Sequence, residues 1–550
     1  MKNVLLLCLS PVKNDAQKRE YTYRNKAGYD ITVSGYTTNE APAKSVIDGI
    51  SRVHKAGGEK LDRVVVLCSE LVRNPISLDD TSCDLRPGET HVDFFKRQIN
   101  EFALERDEIY YRNPITYKQV LVDNYTDSNQ ISVATTDAAR EILGATEGND
   151  NEKIRLYIDY NGGQRYFSLM LLALSNLLSH RGVELCKVLA MNYENRIAGK
   201  VQIQNLAPIF ACMDLTTAIN EYTNYGRTRT LNRYFAPCVQ SDPQIKELLQ
   251  MLTDFAHNLL LCRTGAIESG KKLLLEKLEN FGKLPRPTTT NPDMEAYRTL
   301  FEFVSLDIKS QMQDLLSGSL PEMLRWCVEH DYLQQALTFF TELFPDYMWK
   351  NKILQPTPRE EKEYLQFREW NREECKRNEQ TEKNKYQKLA DCHGDFRENS
   401  SQYRYDWLIK YLRINVKAAK DTLPGDWLIC NQGADSAWVK KRFLKNGALL
   451  KRLRELNLRE PTYGSKPTPD PKPTYGPVVK ILAHYIQGSR VSVAKTVSDE
   501  DLAFILIAYF EIKQMRNATN HASTKNGGWN YEDLVKQITA CAEELRKLVQ

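Results

Sequence analysis

The 550-residue chain is long enough for several domains at roughly 150 residues per domain. Its composition, with 42% apolar and 27% charged residues, is that of a globular protein and excludes a disordered or fibrous chain. The formal net charge of +4 provides no overall field that would select nucleic acid or a membrane, so any electrostatic argument has to be local.

Twelve cysteines are spread singly along the chain, and no two of them form a Cys-x-x-Cys pair. This spacing argues against a zinc framework and a disulfide scaffold, and it favours reduced, buried thiols. Residues 4–9 are apolar but are followed by Pro11 and Lys13 and lack a cleavage site, so they predict a buried strand rather than a signal peptide. No apolar stretch reaches the roughly 20 residues of a membrane span. We therefore expect a cytoplasmic protein that needs no metal, no other cofactor and no membrane.

Short apolar runs alternate with amphipathic segments over the first 200 residues. The predicted strands are residues 4–9, 63–68, 119–122, 154–160 and 185–191. The predicted helices are residues 43–54, 92–102 and 166–179. This alternation predicts a parallel α/β sheet with helices packed against it.

From about residue 214 the apolar spacing becomes helical, as in residues 244–261 and 320–344. Two segments interrupt this pattern: the dense mixed charge of residues 358–404 predicts a solvated helix or flexible insertion, and the prolines of residues 461–477 predict an extended loop. The fold class expected for the whole chain is therefore α/β followed by all-α.

Two more helices are predicted near the end of the chain. Ser498 followed by Asp501 resembles a capping box, and the helix that it opens is expected to run to about residue 523. Its apolar stripe, which continues into two polar residues, comprises Leu502, Ile505, Leu506, Tyr509, Ile512, Arg516 and Asn520. A last amphipathic helix covers residues 531–548.

Arg516, Asn517 and His521 at the end of this stripe are candidates for chemistry. Cleavage of RNA without a metal needs a group that takes the proton from the ribose 2′-hydroxyl and a cation that stabilises the phosphorane, and a histidine and an arginine are sufficient. The alternative is that Arg516 and His521 are ordinary interface or capping residues at a helix end, where cations are favoured.

Residues 159–165, Asp-Tyr-Asn-Gly-Gly-Gln-Arg, join a predicted strand to a predicted helix. Two glycines at the carboxyl end of a parallel strand let the backbone approach a ligand, and amides at a helix start attract anions, so a phosphate site is indicated. The alternative is a tight turn with Arg165 as a surface charge. Further polar loop groups that could reach a ribose or base are Ser10, Thr37, Thr38 and Asn39. An N-cap role is the alternative for Asn39.

The motif Arg516-Asn517-x-x-x-His521 resembles the active-site signature of HEPN ribonucleases. Residues 159–165 are similar to the nucleotide-binding signature of CARF domains, the cyclic oligoadenylate sensors of type III CRISPR systems. Residues 36–42 and 326–345 also resemble members of the CARF-HEPN family. Many CARF signatures carry threonine and histidine where this chain has Asn161 and Gly162, which leaves open which ring is bound and whether the ring is cut.

This resemblance implies a Rossmann-like CARF sensor domain at residues 1–235, a helical linker region at 236–357 and a HEPN domain at 358–550. It implies a homodimer, activated by cyclic tetra-adenylate in slight preference to hexa-adenylate, that cleaves single-stranded RNA by transesterification to a 2′,3′-cyclic phosphate. Arg516 would hold the scissile phosphate, His521 would act as base or acid, and Asn517 would orient His521. The activator would be bound by Ser10, Thr37, Thr38, Asn39, Asn161, Gly162, Gly163, Gln164 and Arg165.

Residues 440–459 hold eight basic residues against one acidic, with interleaved apolar residues. Lys440, Lys441 and Arg442 are predicted to contact RNA phosphates without reading sequence, and a merely solvated basic face is the alternative. Two rival functions stay open: a non-catalytic sensor or interaction protein, and an enzyme that degrades the cyclic activator.

Overall fold

The computed structural model describes residues 1–13, 17–24, 29–53, 59–77, 85–122, 128–146, 153–163, 165–197, 199–286, 292–378, 404–410, 412, 442, 446–458, 476–488, 490–520 and 530–549. These residues divide into two compact units, Met1–Thr217 and Ala218–Gln550. The first unit is α/β and the second is mostly helical, which confirms the predicted fold class at this level.

Eight strands of the described first unit form one sheet in the order β3-β2-β8-β7-β6-β1-β4-β5. The strands are β1 (Lys2–Cys8), β2 (Arg19–Arg24), β3 (Asp30–Gly35), β4 (Leu61–Cys68), β5 (Thr116–Leu121), β6 (Ile154–Asp159), β7 (Glu184–Ile197) and β8 (Lys200–Asn205). The five neighbours from β5 to β7 run parallel to one another. All five predicted strands belong to this parallel part.

The other side of the sheet is mixed, so the predicted parallel sheet is only part of the observed one. β8 pairs antiparallel with β7, β2 runs parallel to β8, and β3 closes the edge antiparallel to β2. β3 and β8 alternate buried residues with more exposed ones, so their sequences alternate apolar and polar residues. β2 buries Tyr21, Thr22 and Tyr23 in succession, but charged residues flank them and a threonine separates the two tyrosines. A search for continuous apolar runs overlooks such strands.

Helices cover both faces of the sheet. They are α1 (Glu40–Val53), α2 (Glu70–Arg73), α3 (His91–Arg106), α4 (Glu108–Tyr111), α5 (Ser128–Leu143), α6 (Arg165–Ser179) and α7 (Ala207–Tyr225). Alternate residues of β1 face opposite sides: Leu5 and Leu7 join the core under α1 and α3, whereas Val4 and Leu6 join the core under α5 and α6. β1 is therefore apolar throughout because both of its faces are covered.

The second unit is built from helices and one short two-stranded sheet. Its helices are α8 (Arg229–Val239), α9 (Pro243–Leu260), α10 (Thr264–Asn280), α11 (Pro292–Gln311), α12 (Gln313–Leu316), α13 (Leu320–Glu329), α14 (Leu333–Lys350), α15 (Pro358–Asn378), α16 (Gly447–Glu455), α17 (Gly476–Gln487), α18 (Asp499–Asn520) and α19 (Tyr531–Lys547). The strands β9 (Leu354–Pro356) and β10 (Val491–Val493) pair antiparallel. No helix in the described ranges is long and apolar enough to cross a membrane.

α18 lies at the centre of this unit. It begins as predicted, with Ser498 accepting a hydrogen bond from the Asp501 amide at 3.1 Å, and the five apolar residues of its predicted stripe are buried. Tyr509 stacks on Phe344 of α14 at 4.3 Å and donates its hydroxyl to the Thr341 carbonyl at 2.9 Å. The predicted linker region therefore contributes α14 directly to the core around α18, and both belong to one compact unit.

The charged segment that starts at residue 358 is only partly as predicted. The first turns of α15 are packed rather than solvated, since Tyr364 and Phe367 are buried and Glu360 accepts hydrogen bonds from Arg490 at 2.7 and 2.9 Å. Residues 379–403 and the proline-rich residues 461–475 lie outside the described residues.

Candidate functional site

A cleft of about 1210 Å³ opens at the carboxyl ends of β1 and β6. β1 lies between β6 and β4 in the sheet, and the later chain crosses to β4 on one side of β1 and to β6 on the other. Such a switch in strand order leaves a crevice between the loops that leave the two strands, and open α/β sheets bind ligands there. The topology therefore marks this cleft as the candidate ligand site of the first unit.

Six of the nine residues predicted to bind the activator line the cleft: Ser10, Thr37, Thr38, Asn161, Gly162 and Gly163. Gln164 lies outside the described residues. Arg165 is the first residue of α6, and the structure describes its backbone only. The structure thus brings together three loops that are far apart in the sequence.

Two hydroxyl groups face each other in the cleft. The Thr38 hydroxyl donates to the Ser10 hydroxyl oxygen at 3.3 Å, and both residues are half-buried. Since a hydroxyl both donates and accepts hydrogen bonds, this pair can serve a phosphate oxygen or a ribose hydroxyl.

Asn39 lies beneath the cleft instead of in it. Its side-chain oxygen accepts a hydrogen bond from the Ser10 amide at 2.8 Å, and its amide nitrogen donates to Asp159 at 2.7 Å and to the Cys8 carbonyl at 3.0 Å. Asn39 is fully buried and fastens the loop after β1 to the end of β6. Its carbonyl accepts a hydrogen bond from the Ala43 amide at 3.2 Å, so its backbone occupies the N-cap position of α1, but among the described contacts its side chain does not cap that helix.

Asn161 has a comparable fastening role. Its backbone and side-chain nitrogens donate to one Asp159 oxygen at 2.9 and 2.6 Å, and its side-chain oxygen accepts from the Met191 amide at 2.8 Å. These contacts tie the loop after β6 to β7. Burial raises the pKa of Asp159 to about 7, although the hydrogen bonds from Asn39 and Asn161 favour the charged carboxylate.

The two glycines of this loop are required by packing against β1. Gly162 has φ +95°, and a Cβ there would lie 2.5 Å from the Cys8 carbonyl oxygen. Gly163 has φ +73°, and a Cβ there would lie 2.4 Å from the Cys8 sulfur and 2.5 Å from Phe167. The close backbone approach predicted from this pair is therefore an approach to β1, which shapes the floor of the cleft.

The amide groups at the start of α1 already have an anionic partner within the protein. Glu40 accepts hydrogen bonds from the amides of Tyr36 and Thr37 at 3.1 and 3.0 Å, and from Lys44 at 3.1 Å. Those two amides are therefore occupied, and the Thr37 hydroxyl also donates to Glu40, at 3.3 Å. An anion in the cleft has better access to the start of α6, where Gly163 is exposed.

Two cations of the cleft were missed by the sequence analysis. Lys13 and Arg19 line the cleft, are exposed, and have no ion-pair partner among the residues that the structure describes. Lys13 follows Val12, whose amide donates to Nδ1 of the buried His91 at 2.9 Å, so this loop is anchored. Arg19 starts β2, which the apolar-run search did not find.

Aromatic and acidic side chains of the cleft were missed as well. Tyr36 and Tyr193 provide partly exposed rings on which a base could stack, and Glu70 brings one carboxylate to the wall that follows β4. Tyr36 lies within a segment whose family resemblance the sequence analysis noted, which was the available signal for it. Tyr193 and Glu70 carry no comparable signal.

The second candidate site is the end of α18. Nη2 of Arg516 donates to Oε1 of Glu342 on α14 at 3.1 Å, and the Arg516 side chain is 17% exposed. Asn517 is exposed on the same turn, and His521 lies outside the described residues. Sequence reasoning missed Glu342, although it lies within the family-like segment 326–345.

The basic stretch is partly described. α16 buries Leu449 and Leu453, as expected for an amphipathic helix, while Lys440 and Lys441 lie outside the described residues. Arg442 donates to Asp499 at 2.7 Å, and Arg452 donates to Asp501 at 3.3 Å. The contact of this stretch with RNA phosphates stays a prediction, and RNA would have to compete with Asp499 for Arg442.

No protein-family model and no curated protein matches the chain. Within the described ranges, no three or more histidine, cysteine or carboxylate side chains are grouped as metal ligands.

Proposed function

We propose that the protein is an endoribonuclease of type III CRISPR antiviral defence that cuts single-stranded RNA when a cyclic oligoadenylate binds its first unit. The observation that carries this proposal is the cleft at the switch point of the sheet, with its paired hydroxyls and with Lys13 and Arg19, which have no ion-pair partner in the described part of the chain. We further propose that the protein works in the cytoplasm as a homodimer without a metal.

The size and chemistry of the cleft favour a ligand larger than a mononucleotide. Its volume of about 1210 Å³ exceeds the roughly 300 to 1000 Å³ of most small-molecule pockets. Lys13 and Arg19 suit phosphodiester groups, and Tyr36 and Tyr193 suit bases. A ring of identical nucleotides presents each group more than once, and two copies of the chain related by a twofold axis would match that symmetry.

The end of α18 supports cleavage by transesterification. In this scheme His521 takes the proton from the ribose 2′-hydroxyl, the 2′-oxygen forms a bond to phosphorus, and the bond from phosphorus to the 5′-oxygen breaks. The products are a 2′,3′-cyclic phosphate and a 5′-hydroxyl, which receives a proton from the protonated base or from water. Arg516 stabilises the charge on the phosphorane, and Asn517 orients His521.

The nuclease half is tested by a gel assay of RNA cleavage, with product ends identified, using rings of four and six adenylates. We expect His521→Ala and Arg516→Ala each to lower activated cleavage by about 10²-fold or more, with EDTA making little difference. Cleavage by the wild type that EDTA abolishes, or full activity of His521→Ala, would contradict this chemistry. A wild type that degrades only the ring would favour an activator-degrading enzyme, and one that cuts neither would favour a non-catalytic sensor.

The sensor half is tested by calorimetric titration with the same rings. We expect Lys13→Ala and Arg19→Ala each to weaken binding by roughly 10- to 100-fold, because a charge-assisted hydrogen bond contributes about 1.5 to 3 kcal/mol. Arg112→Ala, which removes an exposed cation away from the cleft, is the matched control. Arg165→Ala is expected to weaken binding as well. Gly163→Val is unsuitable for this test, because its side chain would overlap Cys8 whether or not a ligand binds.

A further inference from the structure

Glu342 lies beside the candidate catalytic arginine, although 174 positions separate the two residues in the chain. Its Oε1 accepts from Nη2 of Arg516 at 3.1 Å, and its side chain is 37% exposed. The role inferred for Glu342 rests on the proposed function, in which Arg516 holds the scissile phosphate.

The Glu342 carboxylate is held from two sides. Its second oxygen, Oε2, accepts a hydrogen bond from the hydroxyl of Thr264, the first residue of α10. The neighbouring Thr341 carbonyl accepts from Tyr509 of α18 at 2.9 Å, which fixes α14 against α18 one position away. The carboxylate is therefore positioned by three packed helices rather than by its own side-chain conformation alone.

The guanidinium of Arg516 is correspondingly restricted. Its Nε is inaccessible to solvent and has no hydrogen-bond acceptor in the described part of the chain. A phosphate can therefore approach only the terminal nitrogens, and Nη2 uses one of its hydrogens on Glu342. Three hydrogens therefore remain on Nη1 and Nη2, the two nitrogens of the terminal edge of the planar group.

We propose that Glu342 is a positioning residue, which orients Arg516 so that this terminal edge faces the scissile phosphate. An arginine on a helix end has several rotatable bonds, and an orientation error of about 1 Å in a catalytic group can cost about 10²-fold in rate. Glu342 removes that freedom because its carboxylate is itself fixed by Thr264.

The same carboxylate has an opposite effect on the bound substrate. A negative charge close to Arg516 repels the phosphate in the ground state and weakens RNA binding. Positioning and repulsion therefore act on different kinetic constants: loss of Glu342 lowers kcat through the disordered arginine, and it does not raise KM. A residue that only stabilised the fold would not produce this combination.

The experiment compares activated RNA cleavage by the wild type, Glu342→Gln and Glu342→Asp, all in the full chain. Glu342→Gln keeps an acceptor for Thr264 but cannot pair with a cation, so we expect kcat to fall about tenfold or more with KM unchanged or lower. Glu342→Asp is expected to recover part of kcat because it restores the charge. In an Arg516→Ala background, Glu342→Gln is expected to have no further effect, since it acts through Arg516.

The matched control is Asp346→Asn, one turn further along α14. It removes an acid that pairs with Lys350 at 2.7 Å and with Arg404, away from Arg516. We expect it to lower stability while kcat and KM stay within about twofold of the wild type.

Three results would overturn the positioning role while the nuclease proposal stands. The first is a rise in kcat in Glu342→Gln, which would make the pair an inhibitory contact. The second is an unchanged kcat in Glu342→Gln while Arg516→Ala is inactive. The third is an effect of Glu342→Gln that persists in the Arg516→Ala background. A wild type without RNA cleavage would instead overturn the proposed function, and the role of Glu342 with it.

Discussion

A buried carboxyl group at Asp159 lies beneath the cleft, and its protonation is linked to the stability of the first unit. Burial raises its pKa from 3.8 to about 7. Between about pH 4 and pH 7 the folded unit therefore holds a proton that the unfolded chain has released. The contribution of Asp159 to the unfolding free energy consequently decreases as the pH rises through this window and levels off above it.

We predict that Asp159→Asn removes this pH dependence. Hydrogen exchange of peptides from β1 and β6, measured between pH 4 and pH 8 and corrected for intrinsic exchange, reports the stability of the first unit. The wild type should lose protection free energy relative to Asp159→Asn as the pH rises. Asp137→Asn, on the exposed side of α5, is the control and should follow the wild type. Parallel profiles for wild type and Asp159→Asn would show that the carboxyl group has an ordinary pKa.

The turn between β6 and α6 is the element on which the shape of the cleft depends. Its glycines combine a left-handed backbone with direct contact to Cys8 of β1. Another glycine of the first unit, Gly182 after α6, also has a left-handed backbone, with φ +80°, but a Cβ there would meet no atom within 4 Å. A comparison of Gly162 with Gly182 therefore separates the cost of backbone strain from the cost of steric overlap between a Cβ and β1.

We predict that Gly182→Ala lowers the stability of the first unit by about 1 kcal/mol, since only backbone strain opposes it. Gly162→Ala should cost at least about 2 kcal/mol, because the Cys8 carbonyl lies on a central strand and cannot move away easily. Hydrogen exchange of β1 peptides measures both. Equal losses in the two variants would mean that the turn can shift away from β1.

At the scale of the whole molecule, the two compact units can be followed with separate probes. All seven tryptophans lie beyond residue 217, in the second unit, so tryptophan fluorescence reports unfolding of that unit. His484 of α17 is buried there, and burial, together with the charges of Arg490 and Lys480, lowers its pKa from 6.5 to about 4. In this window the unfolded chain binds a proton that the folded unit excludes, so the contribution of His484 to stability rises with pH.

We predict that urea unfolding followed by tryptophan fluorescence shows this increase of the His484 contribution with pH. Between about pH 4 and pH 6.5 the wild type should gain stability with pH relative to His484→Gln, whereas the contribution of Asp159 to the first unit changes in the opposite direction. Buried Glu360 and Glu544 have raised pKa values and also titrate in the second unit, so the comparison with the variant isolates His484. Identical slopes for wild type and His484→Gln would contradict the prediction.

Much of the fold could be predicted because the relevant signals are local. Continuous apolar runs mark the central strands, which are covered on both faces, and the Ser498 cap marks the start of α18. The strands β2, β3 and β8 were missed, since polar residues interrupt the apolar ones in their sequences and no continuous apolar run marks them. The same limit applies to Glu360, which reads as part of a charged insertion and becomes buried through Arg490.

For the candidate sites, the amino-acid sequence by itself determined the glycine turn after β6, the hydroxyl-bearing loop residues and the polar end of α18, because a few consecutive residues specify each of these features. Only the tertiary structure decided that Asn39 fastens the cleft from below, that Lys13 and Arg19 face into it, and that Glu342 holds Arg516. Each of these contacts joins residues that are far apart in the chain. Their partners are selected by strand order and helix packing, and no short stretch of sequence contains that information.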